Sequence, residues 1–573
     1  MPLTQFNYLF VIGTLFAFLD AWNIGANDVA NAWATSVASR SIKYIPAMAI
    51  AAVMEFSGAV GVGARVADTI RTKIVDTSQF AESPAVLMLG MVCAVIASSV
   101  YLTFATKVGL PLSTTHSLMG GVIGFGVAAV GTGGIQWVDP QGGINSGVVQ
   151  VFMAWIIAPL LAGTFASAIF LTTKYAVLLR QNPVLKGLLM VPIYAALTSS
   201  LIVMLLVWKG GSYEVNLTDA QIYLVIVMTG VGFGLLVATF FVPWLYRVII
   251  KQDWELKWYH MYQGPLLLRR GPPSPPPGSY TGPVRDYYEG HSTRDQVDAR
   301  RADLESRDTS ISAASDQQNR EKSQHEVAVS PEEPRRKSLV GPKPDGPWYS
   351  GAMVFWCIKW ALFHGVDQDV VGHQSSDTSG GLAANLDDMH ARAARYDNRA
   401  EYLFSFLQIM TAATSSFTHG ANDVSNAIGP YATIFQIWRD GRLPINDEAE
   451  VPTWILIFGG SGIVIGLWTY GYNIMRNLGN KITLHSPSRG FSMELGSTIT
   501  IIMATRLSLP VSTTQCITGA TVGVGLCNGD WRTINWRMVA WIYMGWFITL
   551  PSAALISGSL MGFILNAPRW LNM

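Results

Sequence analysis

Residues 25–32 read GANDVANA, and residues 420–427 read GANDVSNA. An Asp near the centre of a membrane helix costs about 2.5–3.5 kcal/mol on insertion scales, so an Asn-Asp pair beside apolar runs has to face protein, water or an ion. The chain carries a second duplicated stretch: residues 110–117 read LPLSTTHS and residues 509–516 read LPVSTTQC. The separation between the two motifs differs between the copies by only about four residues, which loops absorb. Lys107 and Arg506 each precede their motif by the same step. The chain is therefore an internal duplication.

The surroundings of this duplication are lipid. Of the 573 residues 50% are hydrophobic and 13% charged, and the mean hydropathy is +0.30, well away from soluble averages. Stretches apolar enough to span a bilayer occur at 6–24, 46–64, 84–105, 148–171, 187–208 and 221–250, then at 401–418, 454–472, 491–505 and 539–564. The first is not read as a cleavable signal, because no Lys or Arg precedes it and Asp20 stands where a small-residue cleavage site is required; the mature chain is expected to start near Met1. A net charge of +1 gives no electrostatic footprint for a nucleic-acid partner. Cys93, Cys357, Cys516 and Cys527 have no CxxC spacing and read as structural.

Between the membrane halves the character changes. Residues 251–347 mix Pro, Ser and both charge signs (RRGPPSPPPGSY, SPEEPRRKS), a composition that buries too little apolar surface to offset its ordering entropy and predicts a disordered loop. It separates a first membrane half, 1–250, from an interfacial helix and linker, 348–395, and a second membrane half, 396–573. The apolar run at 348–366 is read as interfacial because it is short, Trp-rich and carries Lys359. Lys174, Arg180 and Lys186 flank one loop, and Asn216-Leu217-Thr218 in the next is the chain's only NxS/T sequon. Positive-inside bias and glycosylation chemistry then place the first loop and the long central loop in the cytoplasm and the Asn216 loop outside. Arg40 and Lys43 make the first span run inward, whereas the span with the second GAND leaves the cytoplasmic loop. The repeats are expected to be inverted, although Arg65, Arg71 and Lys73 then lie outside.

In LPxSTT, Pro limits the helix before it, and Ser113, Thr114 and Thr115, like Ser512, Thr513 and Thr514, stand where N-capping residues stand before an apolar run. A helix that starts inside the membrane points unpaired N–H groups and its positive dipole end at its surroundings; with hydroxyls added, that is an anion site. One such motif alone would read as local capping, but two, each paired with a GAND, argue for binding. Gly25 and Gly420 permit an unwound backbone. Freed carbonyls with Asn27, Asp28, Asn422 and Asp423 would then form oxygen cages for a small cation; the plainer alternative is that these residues cap broken helices. With no Lys or Arg inside either motif, an anion's charge stays uncompensated at low dielectric unless cations are bound nearby. Neither ion then binds well alone, which is the requirement for coupled symport. Lys107 and Arg506 read as snorkelling at helix ends.

The four motif copies, in this order, resemble the duplicated signature of the inorganic phosphate transporter (PiT) family, the sodium/phosphate symporters. The resemblance covers 1–250 and 395–573, and SPSRGFSMELGS at 486–497 and YDNRAEYLFSFLQ at 396–408 are similar to its fungal high-affinity branch. It implies an all-α polytopic membrane protein of two inverted-topology repeats with about 12 membrane segments, including broken helices or re-entrant hairpins. It also implies inorganic phosphate between the STT tips, sodium near the GAND residues, no cofactor and no metal beyond sodium, a homodimer and a plasma-membrane location. Glu55 and Glu494 match acidic residues on which the family relies. The halves differ where His116 faces Gln515 and His419 faces Ile24; neither His is given a role, a lone His in a bundle being more often a packing residue. The competing expectations are a proton-coupled phosphate or sulfate transporter and a phosphate-sensing receptor signalling through the central loop. An enzyme is disfavoured, since the sequence has no nucleophile-base pair and no P-loop.

Overall fold

The computed structural model describes residues 3–64, 74–138, 147–208, 217–275, 282–313, 338–370, 386–443, 451–506, 509 and 511–567. Lipid cannot hydrogen-bond a backbone, so a chain this apolar satisfies its N–H and C=O groups within helices. The first half supplies α1 (Asn7–Ala38), α2 (Tyr44–Val62), α3 (Pro84–Val108), α4 (Thr114–Val130), α5 (Val148–Thr173), α6 (Pro183–Trp208), α7 (Asp219–Leu236) and α8 (Val242–Ile249). The centre holds α9 (Arg294–Ala313), α10 (Gly351–Phe363) and α11 (Leu386–Arg392). The second half supplies α12 (Asn398–Asp440), α13 (Thr453–Tyr470), α14 (Tyr472–Leu478), α15 (Pro487–Arg506), α16 (Thr513–Leu526) and α17 (Trp536–Asn566). Among the described residues eight helices are long and apolar enough to cross a membrane.

The two GAND helices run antiparallel. Leu3 N donates to Trp438 O, Thr14 Oγ1 to Tyr431 OH and Trp33 Nε1 to Ser416 Oγ, so position along α1 rises as position along α12 falls. This is the inverted arrangement expected from the charges.

Both helices pass through GAND without a break, so the expectation of unwound backbone with freed carbonyls at Gly25 and Gly420 is corrected. These glycines serve close packing. A methyl on Gly25 would strike the Ile463 carbonyl of α13, and one on Gly466 would strike Trp22 O in return. The second half repeats the device: Gly420 abuts Glu55 O of α2, and Gly58 abuts Phe417 O. Glu55 therefore occupies the place that Ile463 holds in the other crossing.

The breaks lie at LPxSTT. Gly109, left-handed at φ 78°, ends α3, and α4 returns along it, Gly90 against the Phe125 ring and Gly121 against Ala94. Helix α16 has 14 residues, about 21 Å of rise, short of the ~30 Å hydrocarbon core; it is a half-span. Each half's short helix packs on the helix that follows the short helix of the other half. Gly120 and Gly124 of α4 meet Leu550 O and Ala554 O of α17, and Gly519 and Gly523 of α16 meet Pro159 O and Gly163 O of α5. The two membrane halves are thus interlocked rather than independent units.

The central stretch differs from its sequence expectation in its described parts. Trp258–Arg269 is helical, as is α9. Tyr287 and Tyr288 are 2% and 4% exposed, Tyr288 OH donates to Glu401 Oε1 at 3.0 Å, and Glu289 pairs with Arg40 at 2.8 Å. An aromatic pair and one charge partner dock this strap on the bundle, a local signal that the average composition of 251–347 hides. The short α10 is tied to α13 by Trp468 Nε1 donating to Leu362 O. Arg65, Arg71, Lys73 and Asn216 lie outside the described residues.

Candidate functional site

Where α1 and α12 cross, the two hairpin tips meet them. Thr114 Oγ1 donates to Asp28 Oδ2 at 3.0 Å, and Thr513 Oγ1 donates to Asp423 Oδ2 at 3.1 Å. Each Asp is thus held by the tip of its own half. The next turn of each GAND helix reaches across. Asn31 Nδ2 donates to Thr513 Oγ1 and Thr514 Oγ1 at 3.2 and 2.9 Å, and Asn426 Nδ2 donates to Thr114 Oγ1 and Thr115 Oγ1, both at 3.1 Å. Two-fold reciprocity of this kind exists only because the repeats are inverted and interlocked.

The Asn of each GAND does different work. Asn27 Nδ2 donates to Thr106 Oγ1 and Leu110 O, and its Oδ1 accepts from Leu112 N at 3.1 Å. Its carboxamide is committed to the loop of the first hairpin. Asn422 Oδ1 accepts from Thr505 Oγ1 at 3.4 Å, the corresponding but looser contact. Ser113 Oγ caps α4 by accepting from His116 N, which leaves its O–H free to donate. Thr514 Oγ1 donates to Leu112 O at 2.8 Å, binding one tip to the other.

At the centre of the crossing stands His419. Its Nδ1 lies 2.6 Å from Glu55 Oε2, and its Nε2 lies 3.0 Å from Asp423 Oδ2 and 3.7 Å from Asp28 Oδ2. Asp28, His419 and Asp423 each place a ligating atom within 4.8 Å of the others. Three carboxylates against one imidazole are net negative when ionised, so this cluster attracts cations and repels an unaccompanied anion. The crossing of α1 on α13 has the apolar pair Ile24 and Ile463 where the crossing of α12 on α2 has His419 and Glu55, so the charge is one-sided. Asp28, Glu55, His419 and Asp423 are at most 2% exposed, whereas Asn422 is partly exposed.

Glu494 sits elsewhere. Thr35, Ser36 and Thr411 hydroxyls donate to it at 2.5–2.7 Å and Gln408 Nε2 at 3.2 Å, so the structure does not bring it to the tips. His116 turns its Nε2 to the Trp155 indole at 2.9 Å, toward α5. Sequence reasoning left out Asn31 and Asn426 and gave His419 no role. The first two were signalled by the duplicated motif itself, which continues to a shared Asn. For His419 the only signal was its place beside GAND, which a packing His fills equally well.

Residues 24–557 match the family described as "Phosphate transporter family". The chain is 62% identical, over 100% of its length and 99% of the relative, to the "Phosphate-repressible phosphate permease pho-4" of Neurospora crassa. It is 28% identical to "Sodium-dependent phosphate transporter 2" of Felis catus and 27% to that of Homo sapiens, with 99% of each chain covered in both cases. A solved structure titled "The sodium-dependent phosphate transporter" superposes with a TM-score of 0.63 at 24% identity, covering 98% of this chain and 100% of that one, which bears on the fold.

Proposed function

Because the chain belongs to the phosphate transporter family, we propose that it carries inorganic phosphate across the membrane together with sodium, by alternating exposure of the site between the two hairpin tips. Phosphate is held by the hydroxyls of Ser113, Thr114, Thr115, Ser512, Thr513 and Thr514 and by the N-terminal ends of α4 and α16. Sodium is held by Asp28 and Asp423, with Asn27 and Asn422 fixing the loops beside them. The reading rests on one observation: each hairpin tip is bonded at once to the Asp of its own repeat and to the Asn of the other. Anion donors and cation ligands therefore share one enclosure, and the net negative cluster accepts phosphate only when cations neutralise it.

This is transport rather than catalysis. We place the protein in the plasma membrane as a homodimer, with the docked strap cytoplasmic. Arg40, Arg395 and Arg392 gather where the strap meets the bundle, the side that positive-inside bias assigns to the cytoplasm.

The test is uptake of radiolabelled phosphate into proteoliposomes holding the full chain. A sodium gradient is expected to drive accumulation, and replacing sodium by choline to abolish it. Undiminished uptake without sodium would reject the sodium assignment in favour of proton coupling, and binding without flux would favour a receptor.

A further inference from the structure

Beyond the central cluster the first half holds a second buried carboxylate. Asp20 lies on α1 eight residues before Asp28, about 12 Å along the helix, and is 0% exposed. Ser98 and Ser99 of α3, both 0% exposed, flank it. Ser99 Oγ lies 3.4 Å from Asp20 Oδ1 and 2.9 Å from Phe16 O. Asp20 Oδ2 and the neighbouring Ser98 Oγ have no hydrogen-bond partner. Among the described residues the only charged group that bears on Asp20 is Asp28, of the same sign. Among the described residues no Lys, Arg or His pairs with it.

A sealed carboxylate without a basic partner is unfavourable by several kcal/mol unless a proton or a cation accompanies it. Of the described groups only the Ser98 and Ser99 hydroxyls lie against the carboxylate, and two neutral hydroxyls do not balance its charge. A buried carboxylate with two hydroxyls against it, and no nitrogen or sulfur among these groups, suits a small hard cation, and a single carboxylate matches a single positive charge. The second half lacks this charge. Ser415 stands at the place of Asp20, and Ser497 and Thr498 at the places of Ser98 and Ser99, so an all-hydroxyl version of the cluster packs in the same fold. From Asp20 a polar ladder continues toward the central site. Asn23 Nδ2 donates to Ser99 O and Thr103 Oγ1, and Asn27 Nδ2 donates to Thr106 Oγ1.

We propose that Asp20, with Ser98 and Ser99, forms an additional sodium site peculiar to the first half, separate from the Asp28 and Asp423 pair. Its place in a transport cycle rests on the sodium-coupled reading; its existence as a binding site does not.

The experiment compares the wild-type full chain with Asp20→Asn, Asp20→Ser and Ser98→Ala in proteoliposomes and in detergent. Three quantities are read: the ratio of labelled sodium to labelled phosphate taken up, the sodium concentration for half-maximal uptake, and equilibrium binding of labelled sodium without phosphate. Both Asp20 variants are expected to carry one sodium fewer per phosphate, to need about tenfold more sodium for half-maximal uptake, and to bind one sodium fewer at equilibrium. Asp20→Ser copies the hydroxyl set of the second half and keeps the test open if Asp20→Asn fails to fold. Ser98→Ala keeps the carboxylate and is expected to weaken sodium binding by a smaller factor. Unchanged sodium binding and an unchanged ratio in the Asp20 variants would overturn the proposal. So would an unchanged ratio accompanied by loss of proton uptake, which would make Asp20 a proton carrier. If the wild type itself shows no sodium-driven uptake, the coupled reading fails, and the binding measurement still decides Asp20.

Discussion

His419 joins three carboxylates that no other cation among the described residues neutralises. Removing one partner from a buried pair leaves an uncompensated charge, at a cost of about 3–5 kcal/mol. His419→Ile, which introduces the residue found at Ile24, is therefore expected to lower the melting temperature of the purified protein sharply and to abolish uptake. Adding Glu55→Ile rebuilds the apolar pair that Ile24 and Ile463 make in the other crossing. The double variant is expected to recover most of the melting temperature while uptake stays lost; recovered uptake would make the pair a packing element only. At Asn31 and Asn426 the prediction is kinetic. Asn31→Ala and Asn426→Ala each remove two hydrogen bonds to the opposite tip, each worth on the order of 1 kcal/mol, and should raise the phosphate concentration for half-maximal uptake about tenfold. The symmetry of the contacts makes the two effects comparable, and a large effect in one variant only would count against a shared enclosure.

Helix crossings show where the sequence could be read and where it could not. The duplicated LPxSTT disclosed both hairpins, because Pro ends a helix and Ser and Thr begin one, whatever surrounds them. Gly25 and Gly420 were ambiguous. Glycine serves an unwound turn and a close crossing through the same missing Cβ, and only the carbonyls of Ile463 and Glu55, remote in sequence, decide between them. The unbroken helices carry a prediction of their own. Gly25→Ala and Gly420→Ala push a methyl into a backbone that cannot yield, so each should destabilise by about 1–3 kcal/mol, seen as a lower melting temperature in detergent. Were these glycines hinges of an unwound segment, alanine would favour the helix and stabilise the protein instead. His419 was hidden for a different reason: a histidine's chemistry lies in its neighbours, and Glu55 is separated from it by 364 positions.

Across the whole molecule, the strap at 282–293 links elements far apart in the chain. Tyr288 OH donates to Glu401 near the start of α12 and accepts from Tyr396 N, and Arg395 donates to His291 O and Ser292 O. Glu401 is itself 0% exposed and also accepts from Ser488 N and Oγ. Tyr288→Phe deletes one donor to a buried carboxylate, a loss of about 1–3 kcal/mol. Faster hydrogen exchange at 282–293 is expected, and unchanged exchange there would mean that the strap is held by its other contacts. The reciprocal glycine crossings reach further. Where α1 lies on α13, and α12 on α2, main chain rests on main chain with no cushion of side chains to deform, so each couple must travel as one rigid beam. The joints of the machine then lie at the tips of α4 and α16, where threonine hydroxyls can trade partners while every packed layer behind them stays whole.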